Sequence, residues 1–199
     1  LRILAPHTAE EAAEIFRQAA RERGKLCIRG SGSQSAAETE RTIISTQNFR
    51  LLDPGHPGDL TITLGAGTFF RRLKEFLPAK LALPDYGGTI GGCLCGDRLI
   101  EAHRFLMPRT LALTFVRSNG DIVKLGCKAV KDVAGYKIIP FFGGSKGRLG
   151  LVTEITINTA PIFRDISRRI LSEGYPDNGK TRELRQRLIR AFDEEGIFS

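Results

Sequence analysis

Tryptophan is absent from this 199-residue chain, methionine occurs once and histidine three times. Interleaved aromatics suited to base stacking are absent from the basic residues that gather late, Arg164, Arg168, Arg169, Lys180, Arg182, Arg185, Arg187 and Arg190, with Tyr175 alone among them. Platforms for stacking bases are therefore missing, which sets nucleic-acid binding aside despite a net charge of +8. A basic balance also suits an anionic membrane surface, an acidic protein partner or, more plainly, a solvated surface with an anionic cofactor. No apolar run reaches the roughly 18 residues of a membrane span, so no transmembrane segment is expected. The opening Leu1-Arg2-Ile3-Leu4-Ala5-Pro6 is too soon broken by proline to be a secretory signal, and without an initiator Met the N-terminus reads as trimmed. The four cysteines (Cys27, Cys93, Cys95, Cys127) form no C-x-x-C pair, which argues against a zinc or iron–sulfur site, and no metal is expected. They read as small buried thiols in a reducing compartment.

What is present is glycine, in three turns. Arg29-Gly30-Ser31-Gly32-Ser33-Gln34 follows the apolar run Lys25 to Ile28, and Tyr86-Gly87-Gly88-Thr89-Ile90-Gly91-Gly92 comes second. The third, Phe142-Gly143-Gly144-Ser145-Lys146-Gly147-Arg148-Leu149-Gly150, runs into Leu151 to Ile157. Glycine lets backbone N–H groups approach a ligand with no Cβ in the way, and successive N–H groups make anion-binding concavities. Each turn alone reads equally well as a tight turn needing positive φ. Three together point to a long ligand with a diphosphate in its middle.

Hydrophobic content of 41% and charged content of 26% are those of a globular protein, and the length suits one domain or a domain with a tail. Thr8-Ala9-Glu10-Glu11 is a capping box opening an amphipathic helix that Gly24 ends. Lys25 to Ile28, Leu60 to Leu64 and Gly150 to Asn158 read as strands, and Thr68 as the cap of a helix carrying Phe69, Phe70, Leu73, Phe76 and Leu77. Leu111 to Val116 and Ile122 to Leu125 flank Asn119-Gly120, a hairpin signal. Residues 162 to 180 are polar and basic, and Thr181 to Glu195 forms a last helix. The irregular alternation of elements predicts an α+β fold over a doubly wound parallel sheet.

The order of motifs resembles the PCMH-type FAD-binding domain of the vanillyl-alcohol-oxidase flavoprotein family, and within it the small FAD-binding subunit of the glycolate-oxidase type. Five segments carry the likeness in order: Arg29 to Ser33, Asp59 to Thr68, Gly88 to Gly92, Val130 to Tyr136 and Gly144 to Glu154. It resumes at Arg187 to Phe198. The resemblance implies two α+β subdomains with FAD between them over residues 1–161, their boundary near 85–110. It also implies a short linker over 162–180 where the family places a large cap domain, and a C-terminal helix over 181–199 packing back on the FAD domain.

By the same resemblance, the turn Arg29, Gly30, Ser31, Gly32, Ser33 and Gln34 binds the pyrophosphate. Thr89, Ile90, Gly91, Gly92, Gly96 and Asp97 line the diphosphate and ribityl chain, and Gly135 and Tyr136 lie at the cofactor. Lys146, Gly147, Leu149, Gly150, Leu151 and Val152 pass near the adenine end. Two departures stand out. Cys93-Leu94-Cys95-Gly96-Asp97-Arg98 replaces the family's small residues after the double glycine, and Ser33 and Gln34 stand where some members attach FAD through His. Dissociable FAD is expected, with linkage through Cys93 or Cys95 as the alternative.

No residue is assigned as catalytic. His7 and His56 read as surface residues, and His103 follows the second flavin loop, close enough in sequence to approach the ring system. Tyr136 and Lys131 read as packing or cofactor-shaping residues. The resemblance implies the FAD-binding subunit of a flavin and iron–sulfur oxidoreductase acting on 2-hydroxy acids such as glycolate or lactate. Its implied partners are a larger flavoprotein subunit and an iron–sulfur subunit, in the cytoplasm or at the inner face of the membrane through those partners. The alternatives are a non-catalytic assembly subunit with weak flavin occupancy, and a self-sufficient small dehydrogenase.

Overall fold

The structure is a computed structural model and describes residues 2–32, 42–56, 58–79, 81–127, 138–160 and 179–198. A short strand, β1 (Ile3–Leu4), precedes the helix α1 (Ala9–Arg21). Thr8 Oγ1 accepts the Glu11 amide at 3.1 Å, as the sequence predicts. The box is not closed reciprocally, because Glu11 Oε2 accepts the His7 amide at 2.8 Å instead. The far end is a Schellman motif in which Gly24 N–H reaches the Ala19 carbonyl at 2.8 Å and Arg23 N–H that of Ala20 at 3.2 Å. The left-handed residue is Arg23 (φ 55), not Gly24.

The next strands, β2 (Leu26–Arg29) and β3 (Thr42–Ser45), join β1 in a three-stranded sheet of order β1-β3-β2, with both pairings parallel. The remaining strands are β4 (Leu52–Asp53), β5 (Thr61–Gly65), β6 (Thr110–Val116), β7 (Ile122–Gly126) and β8 (Leu151–Asn158). They form a five-stranded antiparallel sheet of order β4-β5-β8-β6-β7. The β6–β7 hairpin turns at Asn119-Gly120, where Asn119 Oδ1 accepts the Asp121 amide at 3.0 Å. A parallel sheet beside an antiparallel one is the α+β class that the irregular pattern predicts.

Among the described residues four short elements lie between β5 and β6: 3-10 segments over Phe70–Glu75 and Met107–Arg109, α2 (Ile90–Cys95) and α3 (Glu101–Leu106). The helix expected after Thr68 is thus a single 3-10 stretch. Thr68 does not cap it: Phe69 holds the cap position, no side-chain cap bond forms and no acidic residue occupies the first turn. With neither cap nor dipole partner, these residues gain little from an α-helix and settle as the tighter turn.

Two cores result. Ile62, Leu64, Leu113, Phe115, Ile155 and Ile157 on one sheet face meet Phe70, Leu73, Ile90, Leu94 and Leu106. The other core packs Phe16 and the alanines of α1 against Ile44, Val116, Leu151, Ile197 and Phe198. The last helix, α4 (Gly179–Phe192), buries Ile189. Behind it the Ile197 carbonyl accepts the Leu26 amide at 2.7 Å, and the Phe198 ring meets Phe16 edge-on at 5.0 Å. The chain end is thereby tied to the strand that feeds the first glycine turn.

Candidate functional site

The parallel sheet delivers the first turn. Arg29 ends β2, its carbonyl accepts the Thr46 amide at 2.9 Å, and Gly30 to Gly32 continue past the sheet edge. Gly30 lies directly on the second turn: a Cβ there would collide with Thr89 Oγ1. Gly32 takes φ 83, and the Arg29 side chain folds beneath it, with Cδ 3.6 Å from the place of a Gly32 Cβ. Among the described residues neither the Gly30 nor the Gly32 amide has a hydrogen-bond partner. Arg29 Nε is buried without one too, as are Thr46 Oγ1 and Thr68 Oγ1 on the flanking segments. A buried N–H or O–H left unpaired costs about 1–3 kcal/mol, so this cluster fits an anionic oxygen-rich guest.

The second turn is organised differently. Thr89 Oγ1 accepts the Gly92 amide at 3.2 Å and so caps α2. The Ile90 amide goes to the Thr68 carbonyl at 2.8 Å, and that of Gly91 to Ala66 at 2.9 Å. In the third turn the Gly144 amide reaches Gly96 O at 2.8 Å, Lys146 reaches Cys95 O at 2.9 Å and Gly150 reaches Gly147 O at 3.1 Å. Since an amide carries one proton, these amides of the second and third turns are already committed to the scaffold, unlike those of Gly30 and Gly32. Ile90, Leu149, Leu151 and Val152 have their side chains in the core. Lys146 is exposed at φ 53, and Gly147 packs onto Ile28 of β2.

The structure therefore brings Arg29, Gly30, Ser31 and Gly32 together with Thr89, and joins Gly96 to the third turn. Asp97 is exposed and accepts the Leu99 amide at 2.9 Å. Ser33, Gln34, Lys131, Gly135, Tyr136 and most of the expected linker lie outside the described residues. Reading the sequence missed Arg29 Nε and the hydroxyls of Thr46 and Thr68 as polar groups without partners. The resemblance assigns Arg29 itself to the pyrophosphate, whereas nothing in the sequence marks the two threonines for it.

Burial governs the titratable groups nearby. It pushes the Cys93 thiol up, and the Cys95 thiol up to about 12, where the Ser145 hydroxyl pulls weakly the other way. Burial also pulls His103 below the ordinary imidazole value. Arg109, held down likewise by burial, stacks on the Phe105 ring and donates to the Ala160 carbonyl at 3.1 Å. No helix among the described residues is long and apolar enough to cross a membrane.

Fold and site together define an α+β domain built to hold a nucleotide diphosphate. The chain belongs to the FAD binding domain family, whose model matches residues 1–126, and FAD is its cofactor. It is 27% identical over 177 residues to the glycolate oxidase subunit GlcD of Bacillus subtilis, covering 80% of this chain and 37% of that protein. It is 28% identical over 178 residues to a D-lactate dehydrogenase of Archaeoglobus fulgidus, covering 83% and 40%. An alkyldihydroxyacetonephosphate synthase shares the fold, with a TM-score of 0.61 at 21% identity over 78% of this chain and 31% of its own. The chain thus spans two fifths or less of the length of these relatives.

Proposed function

We propose that this chain is the FAD-holding part of an oxidoreductase acting on 2-hydroxy acids of the glycolate and D-lactate type. One observation carries the cofactor's placement: the open amides of Gly30, against Thr89, and of Gly32, against the Arg29 side chain whose Nε is unpaired. In this reading Arg29 and the Gly30 and Gly32 amides hold the diphosphate by charge-assisted hydrogen bonds, with Ser31, Ser33 and Gln34 assigned to the same group. Thr89 to Gly92, with Gly96 and Asp97, line the next stretch of the cofactor, and Gly135 and Tyr136 are assigned to it as well. Lys146 offers its ammonium group at the third turn. Gly147, Leu149, Gly150, Leu151 and Val152 contribute backbone, not side chains. Bound FAD supplies two-electron redox chemistry, and the protein binds, orients and shields it. The raised thiols of Cys93 and Cys95 favour dissociable over covalently linked FAD.

The same reading gives the enzyme further parts. His7 and His56 are exposed, and His103 is buried with Nδ1 on a backbone carbonyl. That supports a substrate base supplied from elsewhere. Residues 180–190 hold five Lys or Arg and one Glu, so α4 presents a basic face suited to a larger flavoprotein subunit or an iron–sulfur subunit. The test is an anaerobic absorbance spectrum of the FAD-loaded chain before and after adding glycolate or D-lactate. Flavin bands that persist agree with a flavin-holding part. Bands that bleach would make the chain a self-sufficient dehydrogenase, and absent bands would favour an assembly subunit.

A further inference from the structure

Three carbonyls near the end of α2 are capped from outside the helix. Cys95 O takes the Lys146 amide and Gly96 O the Gly144 amide, both from the third glycine turn. Cys93 O lies 3.0 Å from His103 Nδ1. A carbonyl only accepts, so Nδ1 carries the proton, and the neutral ring keeps its lone pair on Nε2. His103 is buried at 5% exposure, and its other edge meets Gly143. A Cβ on Gly143 would sit 2.8 Å from His103 Cε1 and 2.9 Å from Nε2, although the backbone there (φ −60, ψ 122) suits any residue. The imidazole is thus wedged between α2 and the third turn. At its other end α2 carries Thr89, the residue against Gly30.

We propose that His103 is a positioning residue for flavin binding: its Nδ1–H on the Cys93 carbonyl fixes α2, and so holds Thr89 in register with the Gly30–Gly32 turn. This rests on the reading that the Gly30–Gly32 turn holds the diphosphate. Gly143 is glycine because the ring occupies the space of a side chain.

The test is the FAD dissociation constant by flavin fluorescence titration, with thermal unfolding of each apo variant as the folding control. His103→Phe, which removes the donor, weakens FAD about tenfold, the scale of one lost hydrogen bond. His103→Asn, whose amide N–H falls where Nδ1–H was, restores binding to within about twofold. His103→Gln, which places its amide at the Nε2 position, does not. Gly143→Ala weakens FAD in the wild-type background by pushing the ring away, and has a much smaller effect beside His103→Asn, where Cε1 and Nε2 are gone and only Arg98 Cγ, at 3.3 Å, stays near the new Cβ. A role in general stability alone would not tell Asn from Gln. Equal binding by the Asn and Gln variants, undiminished binding by a folded His103→Phe variant, or a Gly143→Ala effect that survives undiminished in the Asn background overturns the inference. Failure of the wild-type chain to take up FAD overturns the cofactor reading itself.

Discussion

Gly30→Ala is the most informative single change at the site. The new Cβ would land on Thr89 Oγ1, and Thr89 is 3% exposed with its hydroxyl holding the Gly92 amide at 3.2 Å. There is no open space for the hydroxyl to swing into without breaking that cap. Losing an N-cap bond costs about 1 kcal/mol, and overpacking a filled site costs about 1–3 kcal/mol. Gly30→Ala is therefore expected to destabilise by about 2–3 kcal/mol, and Thr89→Ala by about 1 kcal/mol. The double variant removes the atom that the new methyl strikes, so its cost falls near that of Thr89→Ala alone. The coupling between the sites is then about 2–3 kcal/mol. Urea unfolding of the apo chain at constant m-value measures it. Additivity to within about 0.5 kcal/mol would show that the first and second turns do not touch, and the site as described would be wrong.

Other consequences can be checked more briefly. Arg23→Gly relieves a left-handed backbone position (φ 55) and should stabilise by about 1 kcal/mol, seen as a higher Tm. Phe198→Ala removes a ring 4% exposed against Phe16 and should cost about 3–5 kcal/mol in chemical denaturation. Because burial lowers the folded-state value of His103, the unfolded chain binds more protons near and below the ordinary imidazole value. Stability should hold above about pH 6.5 and decline as pH falls from there toward the folded-state value, a decline that His103→Asn removes. Asp97 opposes this shift in His103 while Arg98 adds to it. At mildly alkaline pH a thiol reagent should modify exposed Cys127 first, and Cys93 and Cys95 only after unfolding.

The elements legible in the sequence were those with a strong local reason. Asn119-Gly120 fixes its hairpin, Thr8 its helix start, and the glycines mark where strands give way to turns. β1, β3 and β4 were not read, because two to four residues carry too little periodicity and gain their place only from partner strands. Thr68 looked like a helix cap, yet without an acidic first turn the segment stayed 3-10. At the site, glycine spacing located the first turn but could not show which amides were already taken. The third turn resembles a nucleotide cradle in sequence, whereas in the fold its Gly144 and Lys146 amides bind Gly96 and Cys95. His103 drew notice as a group near the flavin ring, and its contact with Cys93 arises only from tertiary packing.

Arg29 and the Gly30 and Gly32 amides are proposed to hold the diphosphate of FAD. Parallel titrations of the apo chain with FAD and with riboflavin, which has no diphosphate, test this role most directly. Saturable FAD binding is expected, with riboflavin binding weaker by at least about a hundredfold for the loss of two or more charge-assisted bonds, and Arg29→Ala weakening only FAD. Equal affinity for the two flavins, or a folded chain that takes up neither, would contradict it.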